Sequence, residues 1–571
     1  EGDVEVSEAI DFAAWYADRA EELEAVDGAQ FVPPRVTVVT PPWNFALSIT
    51  AGSTLAALAA GSPVLLKPAP QARHCAAVIA ECLWEAGIPR DVLQLVDIEE
   101  NEAGKHLVSH SEVDRVILTG AWETAKLFRS WRHDLPVLAE TSGKNSIIVT
   151  ENADYDLAAA DIIKSAFGNA GQKCSAASLI ILVGQAYRSQ RLRHQILDAA
   201  SSIRVGSPSD LRSQMGPLAE PANGKLLDGL TKLDPGQAWA LEPVRIDEEG
   251  RYWSPGVRGG IKPGDPYHLT EYFGPVTGIM YAPDLATAIE YQNGTAFGLT
   301  AGLHSLDPAE IEFWVERANA GNLYVNRSIT GAIVGRQPFG GWKRSAVGPG
   351  AKAGGYHYLQ VLGTWRRAEA SAPTPANRPC ALVEQFVGHI EGLITRDERA
   401  WLLDAVARDA HEWDEWFGRS IDIGGLENER NILRYRPAPT QVRGCADAKL
   451  VDVARVVAAG LLAAGDDISV CLDPSLDEGL GRALRSVGVA VTTASDEDWY
   501  ASLGASRVRL VGGSSSRAAD EADGDPDLAL WANEVTSAPQ VELLPFLREQ
   551  SVSATAHRFG NPDAGVLSVR L

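Results

Sequence analysis

Apolar residues in the early part of the chain fall into short unbroken runs separated by stretches of helical period. The runs Arg35 to Val39, Pro63 to Leu66, Val92 to Val96, Arg115 to Leu118 and Leu135 to Ala139 alternate with helical patterns from Phe45, from Gln71 to Gly87 and from Trp122. Short continuous apolar runs suit strands buried on both faces. Strand alternating with helix at this spacing predicts an α/β fold, a parallel sheet with helices on both sides. A dinucleotide would sit at the carboxyl ends of such strands, although no GxGxxG fingerprint is present. An opening helix carries Val6, Ile10, Phe12, Ala13 and Tyr16, and because the chain starts inside that pattern, a piece of something longer is expected.

A second α/β segment runs from about Asn145 to Leu359. It contains the turn Glu271-Tyr272-Phe273-Gly274-Pro275 and the glycine-rich stretch Gly331 to Gly341. Ala368 to Pro379, rich in Pro, Ala and Ser, reads as a linker. Beyond it the first pattern returns in worn form. Val453 to Gly465 followed by Ile468 to Pro474 mirrors Thr50 to Gly61 followed by Pro63 to Pro68. Ser506 to Gly512 parallels Asp114 to Gly120, and Asn533 to Ser537 parallels Ala139 to Ser142. Asp473 falls where Lys67 stands, and nothing in the second copy corresponds to Cys174, so no catalysis is expected there.

Composition narrows the picture. At 571 residues the chain exceeds one ordinary core, so two or three domains are expected. A formal charge of -24, from 75 acidic and 51 basic residues, argues against a nucleic-acid or anionic-membrane surface. Six cysteines without CxxC or Cys/His spacing suggest neither a disulfide framework nor a metal site, and a reducing, cytoplasmic setting follows. The most apolar segment, Phe45 to Leu66, is broken by Gly52, Ser53, Gly61, Ser62 and Pro63, which fits helix, turn and buried strand and not a membrane span.

The candidate chemistry centres on Cys174. It lies in the loop Gly171-Gln172-Lys173-Cys174-Ser175, which runs into an apolar β-branched strand, Ser178 to Val183. Glycines at 168 and 171 let backbone N–H groups approach a bound molecule, and loops held by a rigid strand often carry chemistry. Taken singly, a cysteine is ordinarily a buried thiol, an asparagine after proline a turn former, and a strand-end glutamate a solvated charge.

Four stretches change that reading together: Thr40-Pro41-Pro42-Trp43-Asn44-Phe45, Leu66-Lys67-Pro68, Leu138-Ala139-Glu140-Thr141-Ser142-Gly143-Lys144, and the Cys174 loop. In this order they resemble the NAD(P)-dependent aldehyde dehydrogenase superfamily over residues 1 to 365. The resemblance implies an aldehyde dehydrogenase fold with a Rossmann-like NAD-binding domain (1–142) and an α/β catalytic domain (143–359). An oligomerisation strand and linker (360–380) and a degenerate aldehyde-dehydrogenase-like lid domain (381–571) would follow. It implies Cys174 as nucleophile, drawn toward thiolate from the usual value of about 8.5 with help from Lys173 and backbone N–H groups. The Asn44 amide and the Cys174 N–H would hold the oxyanion, each such donor being worth about 100- to 1000-fold in rate. Glu140 would activate the water that cleaves the thioester, worth about 100- to 10,000-fold. For NAD it implies Trp43, Lys67, Gly120, Ala121, Glu271 and Phe273. Two departures stand out: Pro70 occupies a position where the family often has glutamate, and Ala121 one where it often has serine.

The Gln172–Ser175 loop, Gly321 to Arg327 and Gly331 to Gly341 look like the L-glutamate γ-semialdehyde (Δ1-pyrroline-5-carboxylate) dehydrogenases. That implies Ser175, Gly331 and Ala332 as carboxylate anchor with Lys173 nearby, Glu8 near the ammonium, and Phe45 with Phe339 gripping the aliphatic middle. In the tail, Glu429 to Pro437, Val535 to Ser537, Glu542 to Gln550 and His557 to Pro562 resemble the C-terminal domain of long bacterial proline utilization A (PutA) proteins. Such a chain would carry a flavin-dependent proline dehydrogenase, with FAD, N-terminal to the part present here, and would form homo-oligomers. Three rivals stay open: a dehydrogenase for another carboxylated semialdehyde, a cysteine hydrolase, and a non-catalytic scaffolding module.

Overall fold

The computed structural model describes residues 2–476, 478–504, 506–558 and 560–571; Phe559, within the last tail stretch quoted above, lies outside them, as does Glu1. The chain forms two compact units. The first comprises Glu1–Ala139, Val347–Ile421 and Arg434–Glu549, the second Glu140–Ala346, Asp422–Leu433 and Gln550–Leu571.

The first unit holds the sheet foreseen from the apolar runs, with strands in the order Val137–Glu140, Arg115–Thr119, Thr37–Thr40, Val64–Leu66, Leu93–Leu95. The last four run parallel. Strand bounds shift by one or two residues from the sequence reading, and the helix expected from Phe45 begins three residues later, as Ser48–Ala59. Its N-cap, Leu47, carries no side-chain cap. Instead Glu5, on the opening helix Gly2–Glu24, accepts from the backbone N–H groups of Leu47 (2.9 Å) and Ser48 (3.3 Å). A carboxylate there satisfies orphan donors and complements the helix dipole. Among the described residues no helix is long and apolar enough to cross a membrane.

A second parallel sheet in the same unit is built from the tail, in the order Ala490–Thr493, Ser469–Leu472, Gln441–Gly444, Arg507–Val511, Ala529–Trp531. Numbered along the chain, the five strands named in each sheet have the order 3-2-1-4-5, with each successive pair joined through a helix; the first sheet carries a further short edge strand, Ala346–Val347, beside Val137–Glu140. The register agrees as well. Leu66 pairs with Val39 and Leu472 with Gly444, and the next backbone N–H, of Lys67 or Asp473, donates to that same partner's carbonyl at 2.9 Å in both. Asp473 therefore stands where Lys67 stands. Ladder pairing corrects one detail of the sequence alignment: Val511 faces Gly444 as Ile117 faces Val39, so it matches Ile117 and not Thr119. The two-residue offset keeps every side chain on its face, which is why the apolar pattern alone did not expose it.

The strand Thr364–Arg367 pairs antiparallel with Ala29–Val32 of the same chain. The N–H groups of Trp365 and Arg367 are taken by Asn533 (3.2 Å) and Glu534 (3.0 Å) of the tail. Arg455 pairs with Asp409 at 2.6 Å and Arg509 with Glu542 at 3.0 Å, with all four side chains fully buried in this unit.

The second unit is organised on parallel strands, Gly256–Ile261, Val276–Ala282, Ala177–Val183, Asn145–Val149, Thr300–His304 and Asn322–Val325. Their apolar residues are almost wholly buried, as β-branched strands covered on both faces should be. The final segment of the chain extends this sheet: Ser551 to Ala554 pair parallel with Asn322 to Val325.

Candidate active site

The residues expected to carry chemistry fall into two groups, one in each unit. In the second unit the helix Tyr155–Phe167 ends at a loop in which Asn169 and Ala170 take left-handed backbone (φ 53° and 52°) before Gly171 (φ 68°). This loop delivers Cys174 to the start of the strand Ala177–Val183. A Cβ on Gly171 would sit 2.2 Å from the Gly274 carbonyl oxygen, and one on Gly143 would sit 2.5 Å from the Cys174 carbonyl oxygen. Both glycines are therefore required for the Cys174 loop to lie against its neighbours. Phe273 also has positive φ (58°), strained for an aromatic residue and of the kind that clusters at functional sites.

Asn145 fixes the loop. Its side-chain amide donates to the carbonyls of Cys174 (2.7 Å) and Ala176 (3.1 Å), while its oxygen accepts from the Thr300 N–H at 3.0 Å. Sequence reasoning stopped at Lys144 and missed this residue. The signal was a polar side chain opening an otherwise apolar strand.

The half-buried thiol of Cys174 is not drawn toward thiolate, contrary to the sequence expectation. Burial first, and then the negative charges of Glu140 and Glu271, push it up to about 12 against the backbone N–H groups of Ser175 and Cys174. The carboxylates face the sulfur closely enough to oppose its ionisation, so a base must take the proton as the thiol attacks.

Glu271 accepts a hydrogen bond from the Gly143 N–H (3.1 Å), and burial lifts its carboxyl to about 7. Lys144, 4 % exposed, is pushed down to about 7 by burial and sits 4.2 Å from the Tyr267 ring centroid. The expected anchor loop is also braced. Tyr324 donates to the Gly331 carbonyl at 2.7 Å. Gln337, between Ala332 and Phe339, donates to Glu429 and Asn431, both at 2.9 Å. Those two acceptors come from the tail stretch singled out in the sequence.

In the first unit Trp43, Asn44 and Phe45 occupy the turn after Thr37–Thr40, Lys67 follows Val64–Leu66, and Gly120 and Ala121 follow Arg115–Thr119. All lie at the carboxyl ends of three adjacent parallel strands, where the order reverses and where α/β sheets bind dinucleotides. A Cβ on Gly120 would meet only a Leu118 methyl at 3.5 Å, so the approach is open. Ala121 caps the helix Trp122–Trp131 without a side-chain hydrogen bond, leaving its N-terminal donors for an anion. The Lys67 ammonium pairs with Glu100 at 3.0 Å, a carboxylate absent from the sequence reading. These residues fit a dinucleotide. Glu8, on the opening helix, is raised by burial, with a Ser48 hydrogen bond opposing. Among the described residues no cluster of His, Cys, Asp or Glu could hold a metal ion.

Fold, strand-end residues and a cysteine held in a strained loop beside two carboxylates together describe a dinucleotide-dependent dehydrogenase. A sequence profile described as "Aldehyde dehydrogenase family" matches residues 1–364, and the chain belongs to this family. It is 36% identical over 380 residues to a 1-pyrroline-5-carboxylate dehydrogenase of Geobacillus sp. (strain WCH70), covering 63% of this chain and 73% of that protein. Among solved structures it resembles Proline Utilization A (PutA) from Corynebacterium freiburgense with TM-score 0.84 and 41% identity over 98% of this chain. The chain spans 54% of the length of that protein. It also resembles 1-pyrroline-5-carboxylate dehydrogenase from Thermus with bound NAD (TM-score 0.59, 33% identity, 64% of this chain and 73% of that one).

Proposed function

We propose that this chain oxidises L-glutamate γ-semialdehyde to L-glutamate with NAD, the second step of proline breakdown. The observation that carries the reading is the Cys174 loop, clamped by Asn145 beside Glu140 and Glu271 in a member of the aldehyde dehydrogenase family. The relatives named for this substrate, and the NAD-bound relative, support the choice of aldehyde and cofactor.

Cys174 attacks the aldehyde carbon as its proton passes to a carboxylate, and the Asn44 amide with the Cys174 N–H holds the oxyanion. Bound NAD supplies the hydride acceptor. The thiohemiacetal on sulfur becomes a thioester, and Glu140 activates the water that cleaves it. Trp43, Lys67, Gly120, Ala121, Glu271 and Phe273 hold the cofactor. Ser175, Gly331, Ala332 and Lys173 receive the α-carboxylate, Glu8 faces the ammonium, and Phe45 and Phe339 enclose the methylene chain.

The wider reading joins this chain to an N-terminal proline dehydrogenase carrying FAD, as in PutA proteins, in a cytoplasmic homo-oligomer. Six free cysteines accord with a reducing compartment. Residues 381–571 serve as a lid and assembly element, supported by a strand order that repeats the first sheet without its chemistry. Steady-state NADH formation on a panel of semialdehydes tests the substrate: L-glutamate γ-semialdehyde should give the highest kcat/KM, and a preference for succinic semialdehyde would overturn it. Coupled proline-to-glutamate flux unaltered by deletion of 381–571 from the full-length protein would remove the lid role.

A further inference from the structure

Several buried arginines of the first unit are matched by acceptors. Arg455 pairs with Asp409, Arg509 with Glu542 and Arg443 with Asp496, while Arg507 donates to the carbonyls of Pro545, Leu544 and Leu547. Arg115 and Arg129 are each only 8 % exposed, yet the Nε of each has no hydrogen-bond partner. Both line one cavity of about 710 Å³ within this unit, formed where residues 111–137 and 348–366 approach the tail's residues 515–544.

The nearby carboxylates are engaged elsewhere. Asp114 is held by Arg35, Asp134 by Arg132, and Glu534 by the Arg367 N–H. Asp525 accepts from the Asp527 N–H; Asp114 acts on Arg115, and Asp525 and Asp134 on Arg129, through space without a hydrogen bond to either guanidinium. Burial pushes Arg115 down to about 10, so it remains a cation at neutral pH. A buried guanidinium without a hydrogen-bonded counter-charge is costly, and in a chain of net charge -24 its retention points to a ligand. A cavity of this size lies within the span of small-molecule sites.

We infer that this cavity is a binding site for a small oxyanion of at least two negative charges, a phosphate-bearing or dicarboxylate compound, held by the guanidinium groups of Arg115 and Arg129. Planar guanidinium forks match both oxyanion types bidentately. The site is separate from the residues assigned to aldehyde oxidation and does not depend on that assignment.

Thermal unfolding in inorganic phosphate and in malonate, each against chloride at matched ionic strength, tests it. Either anion should raise Tm by about 2–5 °C at saturating concentration, and the larger shift identifies the phosphoryl or the dicarboxylate class. Arg115→Gln and Arg129→Gln should each abolish the shift, while in anion-free buffer their Tm should equal or exceed that of the parent. No shift over chloride, or a shift undiminished in both variants as binding at the Cys174 site would give, overturns the proposal. So does a fall of several degrees on substitution in anion-free buffer, which would mean protein groups already satisfy the guanidinium. Should the variants fail to fold, crystals of the parent soaked in selenate decide it: anomalous density at Arg115 and Arg129 supports the site, and an empty cavity refutes it.

Discussion

Two parallel sheets with one strand order and matching register sit in the same unit, and they differ at their carboxyl ends. After the first strand of the first sheet come seven residues, 41–47, including the Trp43-Asn44-Phe45 turn; after the first strand of the second come five, 445–449. Where Lys67 stands in one, Asp473 stands in the other, accepting from the N–H groups of Ser475 and Asp496. Arg443, fully buried, bonds to Asp496 at 2.6 Å, and Asp447 takes the Gly513 N–H at 2.8 Å. In the second sheet the donors that would meet a pyrophosphate are thus already given to carboxylates, and an anion would meet negative charge. The same scaffold is open and binding-competent in one copy and cross-linked by charge in the other. Fold alone therefore assigns no activity here; the strand-end residues do.

The largest expected effect separates the half with chemistry from the half without. Cys174→Ala should lower aldehyde-dependent NADH formation by about 1000-fold or more, since it removes the nucleophile itself. Unchanged turnover would end the enzyme reading. Next, Glu542→Gln should destabilise the tail by about 3–5 kcal/mol in denaturant unfolding, because it strands Arg509 in the core, whereas Arg509→Met with Glu542→Leu should recover most of the loss. A comparable loss in kcat per folded molecule would contradict a purely architectural tail.

Asn145→Ala should reduce kcat by about 10- to 100-fold with KM for NAD unchanged, because the loop loses two clamps while the cofactor residues are untouched. The thiol supplies a pH test. With Cys174 near 12, thiolate is scarce at neutral pH, so alkylation of the NAD-free enzyme by iodoacetamide should rise about tenfold per pH unit past 9, without levelling near the ordinary value of about 8.5. A plateau there would show that the carboxylates do not restrain the sulfur. Smallest of all, Asp473→Lys should leave NAD affinity within about twofold, as Arg443, Asp496 and Asp447 still occupy the rest of that edge.

The first sheet was legible because its strands are buried on both faces and therefore read as unbroken apolar runs. Cys174, Glu140 and Asn44 stood out through motifs in the family's order, and their catalytic roles are the proposal made above. Asn145, Glu5 and Glu100 were not, because each acts through a partner tens to hundreds of residues away, or on backbone groups that no side-chain pattern encodes. The resting state of the thiol was not legible for a related reason: burial, with the charges of Glu140 and Glu271 acting through space, raises it, and neither can be read from its neighbours in sequence.

One feature of the second unit bears on how the protein is made. Its sheet takes a strand from Ser551 to Ala554, and its anchor loop rests on Glu429 and Asn431. A ribosome releases these segments long after Cys174 has emerged, so the unit cannot close until residue 554 has been made. Until then the edge of Asn322–Val325 lacks its partner strand, a template for wrong pairing. A nascent chain stalled before residue 550 would expose that edge, so closure of the unit around Cys174 is tied to synthesis of a strand nearly four hundred residues further on.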